Sequence, residues 1–179
     1  MSYTKERYIK EVIKKLKEEF GYKNNIQVPQ LLKVTLNIGF KTTDVDNNFL
    51  SYVVAQISAI AGQKAVLTKS KKSIAGFKLR EKTVIGCKVT LRKNKMYEFM
   101  DRLIYIALPR VRDFRGLPNN SFNQSGHYNF GIKEHTIFPE IDLDKAYKNL
   151  GLDISIITSA KNKKECKALL YELKLPIKK

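Results

Sequence analysis

The chain has 179 residues, of which 34 are lysine or arginine and 17 are aspartate or glutamate, so its formal charge is +17. Its hydrophobic content of 43% is enough for a buried core, which excludes a disordered basic tail. So basic a protein favours RNA, DNA or an anionic membrane as its partner, and the short apolar runs disfavour the membrane.

The N-terminal segment is predicted to form a helix over residues 3–20. Its apolar side chains recur at helical spacing, and Gly21 follows as a residue that can end a helix. The predicted buried stripe consists of Tyr8, Ile9, Val12, Ile13, Leu16 and Phe20. After a linker, residues 33–39 alternate in polarity, which predicts a half-buried strand. One face of this strand holds Val34, Leu36 and Ile38, and the other holds Lys33, Thr35 and Asn37.

Two more helices flank a pair of predicted strands. Asp44 or Asp46 can cap the first of these helices, and Gly62 can end it. The strand-like runs are Lys64–Thr68 and Val84–Arg92, and the second alternates Cys87, Val89 and Leu91 with Lys88, Thr90 and Arg92. Asn94 is predicted to cap the next helix, which Pro109 closes. Its inward positions are Tyr97, Met100, Leu103, Ile104, Ala107 and Leu108.

The positive charge is concentrated in one stretch, Lys64–Lys95, which contains eleven lysine or arginine residues and only one acid, Glu81. Between its two strands lies a segment, residues 69–83, that is longer than a hairpin turn needs. It has an apolar tip, Ile74–Phe77, among its charges. A solvated basic hairpin that only aids solubility is the simpler alternative. One-sided charge with an apolar tip favours an arm that binds a nucleic acid.

The C-terminal part is predicted as loop, strand, helix, strand and helix. Residues 110–131 are rich in glycine, asparagine and serine, which predicts a loop, and residues 132–138 then predict a strand that ends at Pro139. Residues 142–150 predict a short helix ended by Gly151, and residues 152–158 predict another strand. The last helix, Lys163–Lys174, is expected to turn Cys166, Leu169, Leu170 and Leu173 inward.

This order of elements predicts an α+β fold. Residues 33–108 give strand, helix, strand, strand and helix, which is most of a ferredoxin-like or RRM-like split βαβ plan. We expect an antiparallel sheet with helices packed on one face and with a long basic hairpin arm. Residues 1–179 are predicted to be a single RNA-binding domain, with an N-terminal helix and linker over 1–27 and the sheet-and-helix body over 28–179.

The sequence contains no recognisable set of catalytic or metal-binding residues. The two histidines, His127 and His135, have no partners at metal-ligand spacing. Cys87 and Cys166 belong to apolar positions and are predicted to be buried, reduced thiols. The sequence therefore predicts no enzyme, no metal, no cofactor and no small-molecule substrate.

Two acidic residues, Asp101 and Asp113, lie at a basic helix end. We expect them to pair with Arg102, Arg110 or Arg112 rather than to hold magnesium.

RNA is the favoured partner, and the strand faces indicate which kind. An RRM stacks bases on aromatic side chains of its central strands, whereas these strands present lysine, threonine, asparagine and arginine. Such a face suits the backbone and the shallow minor groove of a folded RNA. A generic single-strand RNA-binding module and an RNA-processing enzyme remain as rival classes.

Several long motifs resemble one family closely. They are KSIAGFKLRE, VIGCKVTLR, MYEFMDRLIYIALPRVRDFRGL, GIKEH with IFPEID, and GLDI. From about Val28 to the C-terminus the chain is similar to the large-subunit ribosomal protein that binds 5S rRNA, in its bacterial or organellar form. The resemblance implies a non-enzymatic protein that holds 5S rRNA in the central protuberance and helps to anchor it to 23S rRNA. It also implies contact with other central-protuberance proteins, and a ribosomal location in a bacterial cytoplasm or an organelle such as a plastid.

The resemblance also implies which residues bind each partner. Asn37, Gln63 and Thr90 match the family's 5S rRNA contacts, with Lys33, Thr68, Lys88 and Arg92 beside them. The arm resembles the part that reaches peptidyl-site tRNA, through Lys71, Lys72, Ser73, Ile74, Ala75, Gly76, Phe77, Lys78 and Arg80. The region from Arg110 to Glu140 resembles the part that forms an intersubunit bridge with a protein of the small-subunit head, through Arg110, Arg112, Arg115, Lys133 and Glu134.

Two segments depart from the family pattern. The turn after the first strand reads NIGFKTTDVDN instead of a short glycine-containing turn. The loop over Asn123–His127 reads NQSGH, where the family commonly has Asp-Gly-Arg-Gly-Asn. The first departure lies at the edge of the expected 5S surface, and the second removes charges from the intersubunit side.

Overall fold

A computed structural model describes residues 2–40, 46–142 and 149–178. Over these ranges the helices are α1 (Tyr3–Arg7), α2 (Ile13–Phe20), α3 (Asn47–Ala61), α4 (Lys93–Arg102) and α5 (Lys163–Glu172). The strands are β1 (Leu31–Gly39), β2 (Val66–Lys69), β3 (Val84–Leu91), β4 (His127–Ile132) and β5 (Leu152–Thr158). A π-helical turn, Tyr8–Val12, joins α1 to α2, and a second, Leu103–Ala107, extends α4.

The described strands form one antiparallel sheet in the order β2-β3-β1-β5-β4. The β1–α3–β2 unit leaves room for β3 between its two strands, and the β3–α4–β5 unit leaves room for β1. This is the split βαβ arrangement predicted from the sequence, with β4 added at one edge. The α+β fold class is therefore confirmed.

The core lies on one face of this sheet, because alternate side chains along each long strand point to the same side. The strand residues that are buried there are Val34, Leu36, Ile38, Cys87, Val89, Leu91, Tyr128, Phe130, Ile132, Ile154 and Ile156. Helices cover this face with their own buried stripes, which include Val53, Ile57 and Ile60 of α3 and Cys166, Leu169 and Leu170 of α5. The inward positions predicted for α4 and its extension are all buried.

The N-terminal helix rests on the body along Thr4, Tyr8, Val12 and Leu16, which are all buried. In an α-helix of 3.6 residues per turn, residues spaced four apart shift gradually around the helix axis. The π turn has more residues per turn, so it offsets this shift and keeps the four residues on one side. Ile9 was expected in this stripe, but it is 52% exposed. Gly21 ends α2 with a left-handed φ of 67°, as predicted.

Asp101 fixes the start of this helix. Its carboxylate accepts hydrogen bonds from the Thr4 backbone N–H at 2.8 Å, from Ser2 Oγ at 2.6 Å and from Thr4 Oγ1. The expected pairing of Asp101 with an arginine is therefore wrong, because free N–H groups at a helix start bind a carboxylate well. Arg102 instead pairs with Glu140, and Asp113 forms no ion pair with a described arginine.

Two predicted assignments differ from the structure. The strand expected over residues 132–138 is wrong, because the strand is His127–Ile132 and His135–Ile137 is a 3₁₀ turn. The alternation of Tyr128, Phe130 and Ile132 outweighs the loop-forming asparagine and glycine around it. Asn94 is not the cap of α4, since Arg92 takes that extended position and Asn94 lies in the first turn.

Asp46 occupies the cap position of α3, although its side chain makes no capping hydrogen bond. Asp44 and most of the helix expected over residues 142–150 lie outside the described residues. None of the described helices is both long and apolar enough to cross a membrane.

His135 is fully buried beneath the segment that leads into β5. Its Nδ1 accepts a hydrogen bond from the Leu150 N–H at 3.3 Å, and its Nε2 lies 3.4 Å from the Tyr52 hydroxyl. An acceptor at Nδ1 leaves the ring proton on Nε2, so this arrangement requires the neutral imidazole. Burial lowers the pKa of His135 below its usual 6.5.

The free energy of unfolding is therefore expected to fall as the pH drops below about 6.5. At such pH values His135 binds a proton in the unfolded chain but stays neutral in the folded chain. The slope is at most about 1.4 kcal/mol per pH unit for one such group. Denaturant unfolding of the wild type and of His135→Gln between pH 7.5 and 5.5 measures it. We expect His135→Gln to lose this slope and His127→Gln to keep it; an unchanged slope in His135→Gln would contradict the assignment.

Candidate nucleic-acid interface

The second face of the sheet is lined mostly by polar side chains, and we call it the open face. Strand pairing and the strand pleat place its members on the same side. They are Lys33, Thr35, Asn37, Val66, Thr68, Lys88, Thr90, His127, Asn129, Gly131, Asp153, Ser155 and Ile157, all partly or fully exposed.

The register arranges these side chains in rows across the strands. One row runs through Val66, Lys88, Asn37, Asp153 and Gly131, each directly opposite the next. The neighbouring row runs through Thr90, Thr35, Ser155 and Asn129. Directly opposite residues have Cβ atoms about 4.5–5.5 Å apart, so each row can follow a continuous stretch of a ligand.

The sequence-predicted residues meet on this face. Lys33, Asn37, Thr68, Lys88 and Thr90 all belong to the open face, although they come from three strands. The structure thereby brings together residues up to 57 positions apart in the chain.

Gln63 and Arg92 lie at the rim of the open face. Gly62 ends α3 with a left-handed φ of 61°, which turns the chain so that Gln63 Nε2 lies 3.4 Å from the Thr90 carbonyl oxygen. Lys95 Nζ donates to the Gly62 carbonyl at 2.8 Å and holds this turn against the start of α4. Arg92 is exposed directly after β3. Both side chains therefore border the row that contains Thr90.

The open face has the side-chain chemistry expected of a surface that binds a folded polyanion. Two lysines lie on it and Arg92 lies at its rim, whereas Asp153 is its single acid. Its hydroxyl and amide side chains can both donate and accept hydrogen bonds. None of its members is phenylalanine or tyrosine, and its one aromatic ring is the imidazole of His127, so it lacks a series of large rings on which successive single-stranded bases could stack. The arrangement suits phosphates and ribose hydroxyls.

Gly86 allows the backbone of β1 and the side chain of Thr68 to lie close to β3. A Cβ added there would lie 2.7 Å from the Ile38 carbonyl oxygen and 2.9 Å from Thr68 Oγ1. Both distances are shorter than real contacts of this kind, so a larger residue there requires the Ile38 carbonyl or the Thr68 side chain to shift. The position of Thr68 on the open face therefore depends on a glycine.

The connecting segment, residues 69–83, forms an arm with its own hydrogen bonds. Ser70 Oγ donates to the Arg80 carbonyl at 2.6 Å, the Glu81 N–H donates to Ser73 Oγ at 2.9 Å, and Ile74 pairs with Leu79. The apolar tip is open to solvent, with Phe77 76% exposed. Lys71, Lys72, Lys78 and Arg80 surround it. The arm thus presents an apolar tip among exposed basic side chains.

A third predicted region lies around the end of β4. Arg112, Arg115, Lys133 and Glu134 line a groove of about 480 Å³ whose floor includes Leu117, Ile132 and Ile137. Arg110 is exposed nearby but does not line the groove. The groove combines an apolar floor with a mostly basic rim, which suits a polypeptide segment.

The described residues form no cluster of three or more histidine, cysteine or acidic side chains that could hold a metal. Cys87 and Cys166 are buried and free, as predicted. Burial raises the pKa of both thiols, that of Cys166 to about 11, so neither is a ready nucleophile near neutral pH.

Sequence reasoning missed the part of the open face on β4 and β5. Asn129, Asp153 and Ser155 extend the rows that begin on β3 and β1. The alternation within LDISIIT was a usable signal for β5, but the strand next to it was assigned to the wrong residues. Only the pairing of β5 with β1 shows that these side chains share a face with Asn37.

Comparisons with known proteins cover almost the whole chain. A family model described as "Ribosomal protein L5" matches residues 24–80, and a second model, which describes the C-terminus of the same ribosomal family, matches residues 84–177. Relatives of the same length exist in diverse bacteria. The large ribosomal subunit protein uL5 of Geobacter sulfurreducens is 52% identical over 178 residues, which covers 99% of each chain.

Two further relatives carry the same description. The protein of Wolbachia pipientis subsp. Culex pipiens is 53% identical over 172 residues, which covers 96% of this chain and 97% of its own. The protein of Nitratidesulfovibrio vulgaris is 48% identical over 179 residues, which covers all of both chains.

Gly86→Ala is expected to destabilise the fold by about 1–3 kcal/mol, because the added methyl group must displace the Ile38 carbonyl or Thr68. Gly39→Ala is the matched control, since a Cβ at Gly39 would meet no atom within 4 Å. Thermal or denaturant unfolding of both variants measures the difference. Equal stability of the two variants would show that the close approach at Gly86 is not needed.

Proposed function

Because the chain belongs to the L5 family of large-subunit ribosomal proteins, we propose that its open face binds 5S rRNA. It is a structural constituent of the large ribosomal subunit and not an enzyme. The observation that carries the proposal is the register. It aligns Lys88, Asn37 and Thr90 on one exposed side of the sheet that presents no phenylalanine or tyrosine among its described residues.

RNA binding on this face depends on where its charged and polar side chains lie. Lys33, Lys88 and Arg92 neutralise phosphates, and the released counterions make the affinity fall as salt rises. Thr35, Asn37 and Thr90 form hydrogen bonds with ribose hydroxyls and base edges in the shallow minor groove. A flat sheet held by a packed core presents these groups without rearrangement, so little conformational entropy is lost on binding.

Anchoring in the central protuberance needs contacts beyond 5S rRNA. We propose that the protein also contacts 23S rRNA and neighbouring proteins there, because basic residues remain exposed outside the open face.

The arm is proposed to contact peptidyl-site tRNA. Its exposed Phe77 can stack on a base or pack on a ribose, while Lys71, Lys72, Lys78 and Arg80 reach the backbone. The remaining arm residues, Ser73, Ile74, Ala75 and Gly76, shape the tip.

The groove at the end of β4 is proposed to face a protein of the small-subunit head. Its apolar floor and the rim of Arg112, Arg115, Lys133 and Glu134 offer the mixture of burial and charge that protein partners use. Arg110 adds charge beside it.

A generic single-strand RNA-binding module is the alternative function. It would need aromatic side chains on the strands, and none of the open-face residues supplies a phenylalanine or tyrosine ring.

We further infer that residues 1–179 act as one domain, since Asp101 ties the N-terminal helix to α4. The relatives named above are bacterial, which favours a bacterial ribosome in the cytoplasm over an organellar one.

Asn37→Asp or Thr90→Glu is expected to lower affinity for 5S rRNA by roughly 100-fold, because each puts a carboxylate against the RNA backbone. Neither change should unfold the chain, since both side chains lie on the open face. Filter binding or fluorescence anisotropy with purified 5S rRNA measures the affinity. Asn120→Asp, an exposed change of equal charge at a residue outside the open face, is the control. Wild-type affinity in both open-face variants would overturn the site.

Removal of the arm tip, Ser73–Phe77, is expected to leave 5S rRNA binding unchanged and to weaken retention of tRNA in the peptidyl site. The tip lies outside the open face and has Phe77 76% exposed. Ribosomes assembled with the variant protein and titrated with labelled tRNA measure the retention. Phe77→Ser, which keeps the arm length, separates the role of the ring from that of the loop. A parallel loss of 5S rRNA binding would contradict separate roles for arm and sheet.

A further inference from the structure

Asp153 is the single acidic residue of the open face. It is exposed in the row that runs through Val66, Lys88, Asn37, Asp153 and Gly131, directly opposite Asn37 on one side and Gly131 on the other. It forms no ion pair with any described residue. A Cβ added at Gly131 would lie 3.3 Å from Asp153 Oδ1, so the carboxylate extends across a position that has no side chain.

An acid at this place is costly if the face only neutralises phosphates. A carboxylate repels the RNA backbone and weakens binding to every RNA alike. An ionised carboxylate also has no hydrogen to donate, so a phosphate oxygen is not a possible partner. A hydrogen-bond partner on the RNA must therefore be a group that carries an N–H or O–H.

The shallow minor groove of a folded RNA offers two such groups. They are the ribose 2′-hydroxyl and the exocyclic amino group of guanine. Both project from the surface that a flat sheet can reach, and both lie between the phosphate-lined edges of the groove. The row matches this pattern, because Lys88 stands two strands from Asp153 and can take a phosphate while Asn37 and Asp153 lie over the groove.

We propose that Asp153 is a specificity determinant of the RNA-binding face. Its carboxylate accepts a hydrogen bond from a minor-groove donor, a ribose 2′-hydroxyl or a guanine amino group, and Asn37 contacts the adjacent position. The cost of its charge rejects RNAs that present only phosphate at this point. This inference rests on the proposed binding of 5S rRNA to the open face.

Asp153→Ala tests the proposal, because charge repulsion and hydrogen bonding predict opposite results. We expect the variant to bind 5S rRNA roughly tenfold more weakly than the wild type and to bind total tRNA equally well or more tightly. Glu98→Ala is the matched control, since Glu98 is exposed on α4, away from the open face, and loses the same charge. It should leave the ratio of the two affinities unchanged. Thermal unfolding of each variant checks that the fold is retained.

Modified RNA identifies the donor. Four 5S rRNAs each lack the 2′-hydroxyl groups at one of the four nucleotide types, and a fifth has inosine in place of guanosine, which removes the amino group. One of them should bind the wild type about tenfold more weakly and show no further loss with Asp153→Ala, as expected for groups that interact directly.

Tighter or equal binding of 5S rRNA by Asp153→Ala would overturn the role of Asp153, while Asn37→Asp measured in parallel would still report on the face itself. A wild-type protein that does not prefer 5S rRNA over tRNA would overturn the proposed function, and the role of Asp153 with it.

Discussion

The pairing of β1 on both of its edges is the constraint on which the rest of the structure depends. Its register with β3 and β5 buries Val34, Leu36 and Ile38 and leaves the alternate residues on the open face. Because side chains alternate with a period of two, a slip of one residue would bury lysine and asparagine and expose the core. The free energy of core burial therefore also fixes which polar side chains stand side by side. Core stability and the layout of the proposed RNA-binding face therefore share one cause in this molecule.

This arrangement explains how a protein that is not an enzyme can have a specific role. The sheet with its packed core carries other surfaces at its two edges. The arm leaves from the β2–β3 edge, and the groove lies at the opposite edge near the end of β4. Each surface has its own balance of charge and apolar contact. A single packed core can in this way set the distances between several partners, which is what a structural constituent of a ribosomal subunit must do.

Much of this was predictable from the sequence where the pattern was strong. The alternation around Asn37 and Thr90 and the helical stripes of α3, α4 and α5 predicted the elements and the split βαβ order. The errors arose where local and tertiary signals compete. Strand β4 begins in a segment rich in asparagine and glycine, and its pairing with β5 outweighs that local preference. Asp101 was predicted to form an ion pair with an arginine because its actual hydrogen-bond partners, Ser2 and Thr4, are distant in the chain. Asp153 could not be placed beside Asn37 before the order of the strands was known.

The most direct measurement of the central claim is a titration of the protein against purified 5S rRNA, with total tRNA as competitor and with rising salt. We expect tight binding that survives the competitor and moderate salt, because the contacts proposed for the open face are with ribose hydroxyls and base edges as well as phosphates. Binding that vanishes with tRNA or with modest salt would contradict it. That result would leave only the general affinity that a charge of +17 gives any basic protein for RNA.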